Sequence, residues 1–253
     1  MASIDCITWQ EAEKKIRECD CAIIPVGTIE QHGAHAPMGL DNFVATEIAT
    51  RLADRLPGVL LPTLCYGCVS ATYDASEWPG TISLSAGTMI RIYKDIALEV
   101  KRQGLKKAIF VNGHLCNTPM LNIAAFESHQ ASGIAVGILE WWLVAKEEID
   151  KYSNSPGHAN ELETSLLLAT PGAKLAQMEK AVAHPGYGLK EAEWAVWRSG
   201  TIFTRKMDKA YVGESGNFGD PRKATVEVGE KVIEKTVAMG LKLAEALTRH
   251  VRE

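Results

Sequence analysis

Short, unbroken apolar runs alternate along this chain with longer stretches in which apolar residues recur every three or four positions. The runs are Cys21-Ala22-Ile23-Ile24-Pro25-Val26, Val59-Leu60-Leu61-Pro62, Ala108-Ile109-Phe110-Val111 and Ile134 to Leu139. Runs this short, without polar alternation, read as strands buried on both faces. The stretches around them carry helix signals. Thr8 with Glu11 is a capping-box pattern and predicts a helix from Trp9 to about Glu18. Asp41 is the expected cap of a second helix, with Val44, Ile48, Leu52 and Leu56 on one face. Ser85 caps a third, carrying Met89, Ile92, Ile96 and Val100, and Gly104 stops it. A helical stretch separates the third and fourth runs. Another helix covers Glu161 to Ala169, and a long one runs from Ala224 to about His250. Tyr66 to Ser83 reads as a long loop, and Pro185 to Asp220 as irregular chain rich in Gly and Trp.

Strands alternating with helices predict an α/β fold with a mostly parallel sheet covered on both faces. No repeat, linker or low-complexity tract divides residues 1–253, so a single domain is expected. In such sheets ligands bind beyond the carboxyl ends of the strands. That rule singles out the loops after Val26, Val111 and Leu139.

Composition narrows the class of partner. The chain has 253 residues, 46% hydrophobic and 23% charged, with a net charge of −4. That hydrophobic fraction excludes a disordered chain. The mixed, slightly acidic charge gives no basic surface for nucleic acid. No apolar run approaches the roughly 20 residues needed to span a bilayer, and the first residues lack a signal-peptide pattern. The six cysteines are too few for a disulfide scaffold, so a cytoplasmic protein with reduced thiols is expected. Cys65-Tyr66-Gly67-Cys68 has no second C-x-x-C to complete a zinc site and reads as structural.

The loop after Val26 holds the densest chemistry. Glu30 and His32 stand two apart, so an extended segment points both side chains the same way. Asp41 follows at the start of the next helix, where the dipole favours a carboxylate. Two carboxylates with an imidazole suit a dinuclear metal site, because a carboxylate can bridge two ions. His114 follows the third run directly, inside Asn112-Gly113-His114-Leu115-Cys116-Asn117. His158 precedes a helix start carrying Glu161 and Glu163. Spacing alone leaves a plainer alternative: loop histidines are often surface or cap residues, and Glu163 is also a natural first-turn carboxylate.

Together these residues resemble the creatinine amidohydrolase (creatininase) family. The first motif is Pro25-Val26-Gly27-Thr28-Ile29-Glu30-Gln31-His32-Gly33 with Asp41. The second is Asn112-Gly113-His114 with Asn117, and the third is His158 with Glu161-Leu162-Glu163-Thr164-Ser165. A fourth comprises Gly219-Asp220-Pro221-Arg222, Ala224-Thr225 and Gly229-Glu230. The order and spacing hold from about Thr8 to Leu247. The resemblance implies a three-layer α/β/α fold, a homo-oligomer (a hexamer included) and a small-molecule substrate. It implies two divalent ions, zinc, manganese or iron. Glu30, His32, Asp41 and His114 would be ligands, with Asp41 bridging, Glu30 and His114 on one ion, and His32 on the other. His158 would move the proton to the leaving nitrogen. Glu163 would either orient His158 or bind metal. The implied activity is metal-assisted hydrolysis of a cyclic amide, formamide or related C–N bond. Ring opening of a cyclic ketone and a non-catalytic metal-binding protein are the alternatives. Creatininase has a glutamate for the second metal where this chain has Cys116, an aromatic residue at Leu115, and a tryptophan and a glutamate at Asn154 and Gly157. These differences remove much of the lining expected around creatinine. Trp142 matches an aromatic residue near the family's pocket.

Overall fold

The computed structural model describes residues 2–69, 78–153, 157–184 and 214–252. Helix α1 (Trp9–Glu18) starts on the expected capping box: the Thr8 side chain accepts from the Glu11 amide, and Glu11 accepts from the Thr8 amide at 2.7 Å. Strand β1 (Cys21–Val26) is buried throughout. Helix α2 (Leu40–Arg55) buries Val44, Ile48 and Leu52, while Leu56 caps its end. Strand β2 (Val59–Leu60) is shorter than its apolar run. Pro62 has no amide with which to continue the ladder, although Leu61 and Leu64 still donate to the carbonyls of Ile23 and Pro25.

Helix α3 (Ala86–Arg102) begins at Ser85, which accepts from the Thr88 amide. Strand β3 (Lys107–Asn112) is followed by α4 (Thr118–Ser132), and β4 (Ala135–Glu140) by the short helices α5 (Trp141–Val144) and α6 (Lys146–Ile149). Helices α7 (Glu161–Leu168) and α8 (Val226–Arg252) complete the elements that matter here. Helix α8 starts two residues later than the sequence suggests, after a short turn at Pro221–Lys223.

The sheet has the order β2-β1-β3-β4, and every pairing is parallel. Alternate strand residues point to opposite faces and build two cores. Ile23, Ile109, Val111 and Leu139 pack with Ile48, Leu52, Leu166, Val232 and Val237 beneath α2, α7 and α8. Ile24, Ala108 and Phe110 pack with Met89, Tyr93 and Leu121 beneath α3 and α4. Each such side chain contributes about 1.5–3 kcal/mol by leaving water. The layers are therefore helix, sheet, helix.

Register decides what happens at the sheet's carboxyl edge. Val26 pairs with Asn112, and Asn112 with Glu140. The ends of β1, β3 and β4 are level, so the three loops named from the sequence emerge side by side. The fourth motif serves packing. Gly229 brings α8 against α7, where a Cβ would lie 2.0 Å from the Ser165 carbonyl oxygen. Glu230 pairs with Arg51 of α2, and the Asp220 amide donates to Glu161 at 3.0 Å. Cys65 and Cys68 are free thiols, the first exposed and the second half-buried. Asn154, Trp194, Trp197 and Arg205 lie outside the described residues, as does most of the Pro185–Asp220 segment.

Candidate metal centre

The loop leaving β1 folds back under α2. Glu30 and His32 end up 2% and 1% exposed. His32 Nδ1 lies 3.0 Å from the Glu30 carbonyl oxygen. A carbonyl only accepts, so Nδ1 carries the proton and Nε2 faces inward. Nε2 stands 3.2 Å from Asp41 Oδ1.

Asp41 is not the helix cap expected from the sequence. The cap position is Gly39, without a side-chain bond, and Asp41 lies in the first turn of α2. Its carboxylate turns inward because two imidazoles draw it there. While Oδ1 faces His32, Oδ2 stands 3.0 Å from His114 Nδ1. Glu30 Oε2 lies 3.2 Å from the same nitrogen.

His114 is set by its neighbours on β3 and β4. Asn112 Oδ1 accepts from the His114 amide at 3.1 Å, and Asn112 Nδ2 donates to Glu140 Oε1 at 3.1 Å. The Thr118 hydroxyl donates to the same Glu140 oxygen. Gly113 permits a close approach of two backbones: a Cβ there would lie 2.4 Å from the Asp41 carbonyl oxygen.

The third loop supplies His158 and Glu163. Asn160 caps α7 by accepting from the Leu162 and Glu163 amides at 3.0 Å. Ala159 adopts φ +50°, held by its N–H donating to Glu163 Oε2 at 2.6 Å and by the Phe218 N–H donating to the His158 carbonyl at 2.7 Å. His158 Nε2 lies 2.7 Å from the Gln31 carbonyl oxygen and 3.0 Å from the Gln31 side-chain nitrogen. Nδ1 is 4.0 Å from Glu163 Oε2, which is 3.9 Å from His32 Nε2. The His32 and His158 rings lie 4.5 Å apart.

Charge coupling follows from this crowding. Burial alone would lower His32, but Asp41, with Glu163 and Glu30, pushes it up to about 9. Burial likewise opposes the charged form of His114, and Glu30 and Asp41 carry it well above its usual value. Burial works against ionised Asp41, yet the two imidazoles hold its carboxyl well below the ordinary range. Burial raises Glu30, and pushes Glu163 up to about 7. Burial and then the His32 charge pull His158 down to about 3.

Two overlapping donor sets result. Glu30, Asp41 and His114 have ligand atoms all within 4.8 Å of one another, and so do Glu30, His32 and His158. The residues fit a bound cation on a second ground. Glu30 Oε2, Asp41 Oδ2 and His114 Nε2 are buried without a hydrogen-bond partner. The two oxygens crowd His114 Nδ1 at 3.0–3.2 Å without the alignment of hydrogen bonds. Buried polar atoms that converge but stay unsatisfied are costly unless an ion joins them.

Glu30, His32, Asp41, His114, His158 and Glu163 are thus brought together from three loops and two helix starts. Glu163 lies on the His32 side of Asp41. Cys116, a free and half-buried thiol, lies two residues beyond His114 on the short turn Leu115–Asn117. Trp142 meets Trp141 edge-on at 5.4 Å and packs against the core. Sequence reasoning passed over three supports. Glu140 holds Asn112. Gln31 bonds the Gly216 carbonyl at 2.8 Å, and His35 bonds Thr164 at 2.9 Å. Only Glu140 left a signal: a carboxylate that directly ends a buried run.

A parallel sheet with carboxylates and imidazoles gathered at its carboxyl edge defines an α/β metallohydrolase architecture. The family profile described as creatinine amidohydrolase matches residues 5–244. The chain belongs to the creatinine amidohydrolase (creatininase) family, whose members are hydrolytic enzymes. It is 28% identical over 248 residues to creatinine amidohydrolase of Pseudomonas putida, with 91% of each chain covered. It is 27% identical to 3-dehydro-scyllo-inosose hydrolase of Thermotoga maritima, covering 98% of this chain and 82% of that protein. Mycofactocin precursor peptide peptidase of Mycobacterium ulcerans is 30% identical over 227 residues, covering 85% and 80%. A manganese form of creatininase superimposes with TM-score 0.81, and a zinc–zinc form of a creatininase mutant with 0.82. Both are 25% identical, with both chains fully covered. No helix among the described residues is long and apolar enough to cross a membrane.

Proposed function

We propose that this chain hydrolyses a C–N bond in a small cyclic amide, formamide or related substrate, using two divalent ions held by the cluster. The observation that carries this reading is Asp41. Its two carboxylate oxygens face different imidazoles, His32 at 3.2 Å and His114 at 3.0 Å, as a bridging ligand would. Glu30 and His114 would hold one ion. His32 and Glu163 would hold the other. When bound, the ions supply Lewis acidity and lower the pKa of a bound water.

The protein's own groups do the rest. His158, its ring 4.5 Å from that of His32, would move the proton to the leaving nitrogen. Phe218 stands edge-on to His158 at 5.8 Å and helps exclude solvent from that side. A cytoplasmic, homo-oligomeric, single-domain enzyme is the expected setting.

Ring opening of a cyclic ketone is the second reading. It is favoured by the alignment to the inosose hydrolase over 98% of the chain. A screen of the metal-loaded protein against cyclic amides, formamides and cyclic diketones separates the two. Turnover of none of them by a metal-replete protein refutes the enzyme reading.

A further inference from the structure

The backbone around His114 is held partly by main-chain bonds. The Gly113 amide donates to the Val26 carbonyl at 2.8 Å, and the Asn117 amide to the His114 carbonyl at 3.1 Å. The amide of His114 itself depends on a side chain, because its acceptor is Asn112 Oδ1 at 3.1 Å. An asparagine amide keeps nearly the same shape after a half-turn about its last bond, but the turn exchanges an acceptor for two donors. Reversed, Asn112 would set N–H against the His114 N–H and strand that amide in a buried site.

Glu140 decides the direction. It faces Asn112 across the β3–β4 register, and the two residues are 6% and 0% exposed. A carboxylate only accepts, so Asn112 turns Nδ2 toward it, 3.1 Å from Oε1. Thr118, the first residue of α4, closes the arrangement. Its hydroxyl accepts from Asn112 Nδ2 at 3.3 Å and donates to the same Glu140 oxygen. With Nδ2 committed there, Oδ1 is left for His114. The chain of bonds thus runs from β4 through β3 to an imidazole donor, while Glu140 belongs to neither donor set.

We propose that Glu140 is a positioning residue of the metal centre. By fixing which end of the Asn112 amide meets His114, it sets the affinity for the ion held by Glu30, Asp41 and His114 without binding that ion. This inference rests on the two-ion reading above and adds to it a carboxylate that acts through a ligand's backbone. Groups that orient a ligand change metal affinity by about 10–100-fold.

Calorimetric zinc titration of the metal-free, full-length protein tests this, with the His114 amide followed by heteronuclear NMR. Glu140→Leu removes the acceptor, whereas Glu140→Gln keeps an oxygen for the place of Oε1. Asn112→Asp sets a second carboxylate against Glu140. Asn112→Asp combined with Glu140→Gln exchanges the two groups, so that the carboxylate at position 112 accepts from both neighbours. Glu140→Leu and Asn112→Asp should each weaken one zinc equivalent by about 10–100-fold and leave the other as it was. In both, the His114 amide of the metal-free protein should exchange faster with solvent. Glu140→Gln and the double substitution should recover most of the affinity and the slow exchange. Native affinity in Glu140→Leu overturns the inference. So does an equal loss in Glu140→Gln, which makes charge rather than direction the cause. If Glu140→Leu fails to fold, the Asn112→Asp pair decides: loss followed by recovery supports the inference, and any other result overturns it. An unsubstituted protein that binds fewer than two zinc equivalents overturns the two-ion reading itself.

Discussion

Gly113→Ala probes how closely the fold must bring β3 and α2 together. A Cβ at this position would sit 2.4 Å from the Asp41 carbonyl oxygen and 3.2 Å from Ala45 Cβ, where ordinary contact starts at 3.4 Å. The deficit against the carbonyl is 1.0 Å by subtraction. A backbone oxygen cannot rotate away as a side chain would, so the loop carrying His114 and the start of α2 must separate. Metal–ligand distances tolerate roughly 0.2 Å, so a shift of this size pulls His114 away from Asp41. Zinc affinity should drop by about 10–100-fold. Overpacking of this kind costs about 1–3 kcal/mol, which lowers the melting temperature of a chain this long by roughly 2–12 °C. Gly104→Ala is the control. Gly104 has φ +98°, and a Cβ added there would meet nothing within 4 Å, so its cost is backbone strain of about 1–2 kcal/mol at a site remote from the metal ligands. It should lower the melting temperature and leave zinc affinity intact. The assays are calorimetric zinc titration and thermal melting of the metal-free protein. Native zinc affinity in Gly113→Ala would refute the idea that this contact sets the ligand spacing.

Other perturbations test separate parts of the site. His32→Ala should bind one metal equivalent fewer by elemental analysis; unchanged stoichiometry removes His32 from the ligands. Glu163→Gln should lower metal content if its carboxylate binds an ion, and keep it while slowing turnover if Glu163 only orients His158. His158→Ala should retain both ions and lose turnover by roughly 10²–10⁴-fold, and full activity would remove it from the mechanism. His35 is buried and held down to about 4, by burial first and then by the His32 charge, from an ordinary 6.5. A depressed histidine contributes stability that is present above pH 6.5 and lost as pH falls through about 4. His35→Gln should therefore flatten the fall in melting temperature of the metal-free protein between those values, and an equally steep fall counts against it. Arg51, which joins Glu47 and Glu230 across α2 and α8 at 21% side-chain exposure, should cost about 1 kcal/mol on replacement by Ala, read by chemical denaturation.

Local chemistry made much of the fold legible. The capping box at Thr8, the Ser85 cap and the strand runs depend on neighbours within a few residues, so they can be read along the chain. The donors Glu30, His32, Asp41, His114, His158 and Glu163 were legible as residue types in loops that the parallel-sheet rule marks for ligands. Asp41 was misread as a cap because capping is the local use of an aspartate at a helix start. The imidazoles that turn it inward come from other segments. Glu140 escaped notice because its value lies in accepting from Asn112 across two strands.

By itself, the sequence determined the element types, the parallel sheet and the inventory of donors, because hydrophobic period and residue chemistry are local properties. Only the tertiary structure decided that Val26, Asn112 and Glu140 end level, that each Asp41 oxygen meets a different histidine, and that Glu163 stands by His32. Those facts depend on strand register and on packing at Gly113 and Gly229, where the absence of a side chain sets how near two backbones can come.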